Sequence, residues 1–69
     1  MRISARNQLT GTISAIEPGA VMSIVKVDLD GGQQITASVT KDAVEELALA
    51  VGSQVTAVIK STEVMIGIE

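Results

Sequence analysis

The run Val21-Met22-Ser23-Ile24-Val25-Lys26-Val27-Asp28-Leu29-Asp30-Gly31-Gly32-Gln33 decides the fold. Val21, Ser23, Val25, Val27 and Leu29 take every second position; Met22, Ile24, Lys26, Asp28 and Asp30 take those between. Side chains on a strand alternate faces, so this is a strand whose first set faces a core. The second face starts apolar and ends charged, which predicts that its Met22–Ile24 end is covered by another subunit. Asp30-Gly31-Gly32-Gln33 is a hairpin signal, because Asp-Gly and Gly-Gly tolerate positive φ. A glycine pair also suits a phosphate cradle, but no Lys and no helix start follows it. The hairpin returns from about Gln34 to Val39, with Ile35, Ala37 and Val39 inward and Gln34, Thr36 and Ser38 outward.

Downstream the period changes. Val44, Leu47 and Ala48 recur at helical spacing, which predicts a helix of two turns over residues 41–48 with Gly52 at its exit. Thr40 suits its N-cap, and Asp42, Glu45 and Glu46 favour the positive end of its dipole. Val55, Ala57 and Ile59 then alternate with Thr56, Val58 and Lys60. After a tight corner at Lys60-Ser61-Thr62, a last strand sets Val64, Ile66 and Ile68 against Met65 and Gly67. Upstream, residues 3–16 read as the first strand. Gly11 within it marks a bulge or a close backbone approach. Glu17-Pro18-Gly19 reads as a turn, with Gly19 at positive φ. The order is strand, strand, strand, short helix, strand, strand. That predicts an all-β fold with one short helix, an OB-fold-like five-stranded barrel formed by a single domain over residues 1–69.

Composition narrows the function. The chain has 69 residues and no Cys, His, Phe, Trp or Tyr. Disulfides and the usual zinc sites are thereby excluded, and no D-x-D-x-D-G calcium loop is present. A domain this small needs another source of stability, and 46% hydrophobic content is more than one small barrel can bury. Both facts predict a homo-oligomer. Single-strand binders stack bases on aromatic rings, and polyanion binders carry an excess of basic charge. A net charge of −3 and the absence of rings argue against nucleic acid on both counts. No apolar run is long enough for a transmembrane helix and no signal peptide is recognisable, so the expectation is a cytoplasmic protein with no membrane partner.

Catalysis is not expected. The common general bases and thiol nucleophiles are missing, Lys60-Ser61 has no orienting carboxylate, and Glu45-Glu46 are helix neighbours that point apart. Anion binding fits better. Ser4 and Arg6, in Ser4-Ala5-Arg6-Asn7-Gln8-Leu9, share one face if that run is a strand, and a hydroxyl beside a guanidinium suits an anion with several acceptor oxygens. Alone, the run reads as a solvated edge. In an OB-type barrel, however, the first strand pairs antiparallel with the fourth, which brings Ser4 and Arg6 towards Lys60 and Ser61. The helix start at Thr40 and Lys41 offers further donors.

These residues resemble a known family. Ser4-Ala5-Arg6-Asn7-Gln8-Leu9, Val58-Ile59-Lys60-Ser61-Thr62 and Val64-Met65-Ile66 are similar to molbindin, the single-Mop-domain family of molybdate-binding proteins. The resemblance covers essentially the whole chain. It implies an OB-like fold, a homohexamer built as a trimer of dimers, and cytoplasmic binding of molybdate or tungstate at subunit interfaces. In that likeness, Ser4, Ala5 and Arg6 match the segment that contacts the oxyanion. Lys60 and Ser61 match the distal lysine and the residue after it. Thr40 matches a hydroxyl contributed across an interface. Ala43 departs from the pattern, standing where regulator-type domains carry a helix serine. The metal would be bound as its oxyanion, with no separate metal site. The rival expectation is an OB-like structural or regulatory interaction module with no bound oxyanion.

Overall fold

The computed structural model describes all of residues 1–69. Strand β1 (Asn7–Glu17) is followed by β2 (Met22–Leu29), β3 (Gln34–Thr40), a short helix α1 (Lys41–Glu46) and β4 (Gln54–Ile59); a single 3₁₀ turn spans Ser61–Glu63. The four strands form one antiparallel sheet in the order β3-β2-β1-β4. The sheet curls, and its concave side holds the core. Ile13, Val25 and Val27 are fully buried there, with Ile35, Val39, Val44, Leu49 and Val55 packed around them.

The β2–β3 hairpin forms as its alternation requires. Ser23, Val25 and Val27 are buried, whereas Asp28 is exposed. Val21 is the exception: it precedes the strand and is exposed. Gly32 adopts φ +97°, and the turn closes with Leu29 N–H donating to the Gln33 carbonyl at 2.6 Å. Thr40 caps α1, its Oγ1 accepting from the Ala43 N–H at 3.0 Å.

Gly11 is a point of close approach. A Cβ there would lie 2.5 Å from the Asp28 carbonyl oxygen and 2.8 Å from Val27 Cγ1. Because Gly11 pairs with Leu29 on one side and Val55 on the other, both neighbouring strands close in on a position with no side chain. The bulge sits three residues later. Ile13 pairs with Val27 and Ala15 with Lys26, leaving Ser14 as the extra residue. Its hydroxyl donates to the Lys26 carbonyl at 3.3 Å and accepts from Gln34 Nε2 at 3.3 Å. A bulge of this kind adds local twist and helps the sheet curl.

Four further expectations are corrected. Strand β1 starts at Asn7, not residue 3, because the backbone bends at Ser4 and again at Arg6. Gly19 is not at positive φ; it is small because a Cβ there would run into the Met22 carbonyl. Helix α1 stops at Glu46, and the expected stripe fails beyond Val44. Leu47 is 69% exposed and Ala48 turns to φ 51°, so Leu49 packs on the core instead. The fifth strand is not paired. Residues 64–69 join no ladder, and Met65, Ile66 and Ile68 are 92%, 88% and 95% exposed. The sheet is therefore a four-stranded half-barrel of the OB-like type, with β3 and β4 as free edges.

Candidate oxyanion site

Strands β1 and β4 pair from Thr12↔Gln54 to Asn7↔Ile59, so partner numbers sum to 66 throughout. Continued outward, that register would set Arg6 opposite Lys60 (6 + 60) and Ser4 opposite Thr62 (4 + 62). The ladder ends one pair short of this. Like charges directly opposite one another destabilise a strand pair, which is a physical reason for the strands to part where two cations would meet.

The parting creates a hollow of about 410 Å³ lined by Ser4, Ala5, Arg6, Lys60, Ser61 and Thr62, with Ile3 at its edge. Three hydroxyls and two cations face it, and no acidic side chain lines it. The frame around it is tied down by side-chain hydrogen bonds. Asn7 Nδ2 donates to the Ile59 carbonyl at 3.2 Å, across the last pair of the ladder. Gln8 Nε2 donates to the Ala5 carbonyl at 2.8 Å, which holds the bend of Ser4-Ala5-Arg6 over the strand start. Asn7 thus fixes the strand end, while the donors on either side of it stay open.

Strand alternation alone would set Ser4 and Arg6 on one face. The structure brings them together by a bend, and Ala5 lines the hollow beside them. Thr62 and Ile3 were missed as lining residues. Thr62 was legible as part of the corner, but only the 3₁₀ turn at Ser61–Glu63 carries it round to the hollow.

Thr40 and Lys41 lie elsewhere. Thr40 pairs with Met22 beyond the end of β1 at Glu17, whereas the hollow adjoins the start of β1 at Asn7. Ten residues of strand separate these ends, roughly 30 Å of contour at about 3.3 Å per residue. Within one chain, Thr40 and Lys41 therefore do not join Ser4, Arg6, Lys60 and Ser61. The backbone donors of this corner are also partly spent, since Lys41 N–H donates to the Val21 carbonyl at 2.8 Å and Ala43 N–H to Thr40 Oγ1. Thr40 keeps its own hydroxyl proton and Lys41 its ammonium, because a hydroxyl donates one bond while it accepts another.

No group of three or more Cys, His, Asp or Glu side chains is arranged to hold a bare metal ion. No helix is long and apolar enough to cross a membrane. A hollow with two cations, three hydroxyls and no carboxylate has the chemistry that suits a multi-oxygen anion.

Comparison with known proteins agrees with that chemistry. Residues 3–66 match the TOBE domain. The chain belongs to the TOBE-domain family, in its molbindin (Mop) branch. It is 49% identical over 69 residues to the "Probable molybdenum-pterin-binding protein" of Haemophilus influenzae, covering 100% of both chains. Among solved structures it is similar to MopII from Clostridium pasteurianum, in an apo form, with a TM-score of 0.93 and 45% identity over 97% of this chain and 100% of that one. It is also similar to ModG, a cytoplasmic molybdate-binding protein solved with molybdate bound, with a TM-score of 0.95 and 51% identity. That match covers 100% of this chain and 49% of ModG, so the present chain spans about half of it. The molbindin branch is a family of binding proteins rather than of enzymes.

Proposed function

We propose that this chain is a cytoplasmic, non-catalytic single Mop domain over residues 1–69 that binds molybdate or tungstate for storage and homeostasis. Its sites lie at subunit interfaces of a homohexamer built as a trimer of dimers. The observation that carries the reading is the hollow at the parted end of β1 and β4, where hydroxyls and two cations converge and no carboxylate intrudes. Molybdate is a tetrahedral dianion with no proton to donate at neutral pH, so it needs donors alone. Arg6 and Lys60 balance its charge, Ser4, Ser61 and the backbone around Ala5 supply hydrogen bonds, and the anion relieves the repulsion between the two cations.

The interface half of the proposal comes from the split of the donor set. The hollow is open, and the chain's remaining candidates, Thr40 and Lys41, sit at the opposite end of the sheet. Two copies laid head to tail bring the Thr40 end of one over the Arg6 end of the other. Exposed apolar residues, among them Leu9 at 38%, Met22 at 45% and Val58 at 40% exposure, supply the contact that such copies need. Several relatives are named for binding molybdenum-pterin. A pterin is a flat heteroaromatic system best held by stacking, and this chain has no aromatic side chain to stack on it. The inorganic oxyanion is therefore the ligand proposed. Sulfate has the same charge and shape, so selection falls to cavity size on a rigid, strand-borne frame. Titration calorimetry tests the reading: heat with molybdate and tungstate but none with sulfate or with a pterin lacking molybdenum is expected, and a silent molybdate titration overturns it.

A further inference from the structure

We propose that Gln8 is the positioning residue that lets the hollow distinguish molybdate from sulfate. This inference rests on the oxyanion reading and deepens it. Both anions are tetrahedral dianions, so the same donors serve either. Only the distance between the donors separates the larger anion from the smaller. A hollow discriminates by size only while its walls resist closing on the smaller anion. Groups that select in this way must be held within about 0.5 Å of their working positions. What holds each wall therefore decides the selectivity.

The two walls are held unequally. Lys60 follows β4 directly, and the turn after it is braced by backbone bonds. Glu63 N–H donates to the Lys60 carbonyl at 2.9 Å and Val64 N–H to the Ser61 carbonyl at 3.4 Å. The end of β4 is tied again by Asn7 Nδ2, which donates to the Ile59 carbonyl. Ser4, Ala5 and Arg6 precede the first pair of the β1–β4 ladder, Asn7↔Ile59, and no backbone–backbone hydrogen bond reaches them. Ser4 and Arg6 are exposed, so packing adds little restraint. One bond remains, from Gln8 Nε2 to the Ala5 carbonyl at 2.8 Å. Gln8 sits inside the ladder, opposite Val58, so this bond anchors the bend to the sheet. Gln8 does not itself line the hollow, and it acts on the anion only through where it holds Ser4 and Arg6. Without that bond, a dianion draws the Ser4–Arg6 wall towards Lys60, and the hollow closes on the smaller sulfate.

Two variants of the full chain test this. Gln8→Ala removes the side chain, and Gln8→Met removes the donor while keeping the length. The position is exposed, so both variants are expected to keep the parent's circular dichroism. Molybdate binding is measured by equilibrium dialysis against rising sulfate, with chloride holding the ionic strength constant. The readout is the ratio of the molybdate and sulfate affinities. A merely destabilised protein loses both affinities by one factor and keeps the ratio. From the worth of one neutral hydrogen bond, the ratio is expected to fall by roughly 2- to 12-fold in both variants. A parent-like or raised ratio in either folded variant overturns the inference and leaves the oxyanion reading intact. A parent chain that binds no molybdate overturns both.

Discussion

Gly11→Ala is expected to weaken the fold at the point that sets the curl of the sheet. The new Cβ would lie 2.5 Å from the Asp28 carbonyl oxygen, against the 3.4 Å at which ordinary contact begins, so a gap of 0.9 Å (3.4 − 2.5) must open. The obstacle is backbone, and β1 is held from its other side by β4 through the Gly11↔Val55 pair, so neither neighbour yields freely. Overpacking of this kind costs about 1–3 kcal/mol. A domain of this length has a total stability of roughly 3–10 kcal/mol, so the loss is a large share of it. At about 4–8 °C per kcal/mol for a domain of this size, the melting temperature should fall by roughly 4–24 °C. The chain has no Trp or Tyr, so melting is followed by far-ultraviolet circular dichroism, at fixed protein concentration because the proposed assembly would couple to stability. Gly31→Ala is the internal control, since nothing lies within 4 Å of a Cβ there and its φ is not positive. Equal melting temperatures for the two variants and the parent would refute the close-approach argument.

Ile13→Ala removes the side chain at the centre of the core, where exposure is 1%, and should cost about 2–5 kcal/mol in chemical denaturation, with partial unfolding at room temperature at the upper end. Thr40→Ala should lose about 1 kcal/mol of helix-cap stability and also weaken oxyanion binding, whereas Thr40→Ser should restore both; a Thr40→Ala protein that is destabilised but binds molybdate like the parent removes Thr40 from the site. Asn7→Ala should fray the end of the β1–β4 ladder, raising amide exchange at the Asn7–Ile59 pair and weakening binding through position rather than contact.

Much of the hairpin, β3, the Thr40 cap and the late corner was legible in the sequence because each depends on local chemistry. Asp30-Gly31-Gly32-Gln33 carries its own turn, and the Thr40 oxygen finds Ala43 N–H within the same short segment. What the sequence concealed depends on partners. The bulge falls at Ser14 and not Gly11, because an extra residue is defined only against the register of β2. Helix α1 ends early because Ala48, a residue with no marked preference for it, takes a left-handed turn that helical periodicity does not foresee. Residues 64–68 have the pattern of a strand but no ladder, since a strand needs an edge and none within the chain receives it. The hollow was legible in outline: the antiparallel pairing of β1 with β4 follows from the order of elements, and that pairing alone brings residues 4–6 to residues 60–62. The bend that aims Ser4 and Arg6 was not legible, because Gln8 imposes it through a side-chain bond to Ala5.

The central claim is that Arg6 and Lys60 jointly hold a molybdate-sized oxyanion. A single titration series tests it most directly: molybdate into the parent chain, Arg6→Ala, Lys60→Ala and the double variant, with sulfate as the competing anion. Hydrogen bonds to charged groups contribute about 1.5–3 kcal/mol each, so each single variant should weaken binding by roughly 10- to 150-fold. The double variant should show no measurable heat, and millimolar sulfate should leave the parent's molybdate isotherm unchanged. Parent-like molybdate binding by Arg6→Ala and Lys60→Ala, with both variants folded, would contradict the account.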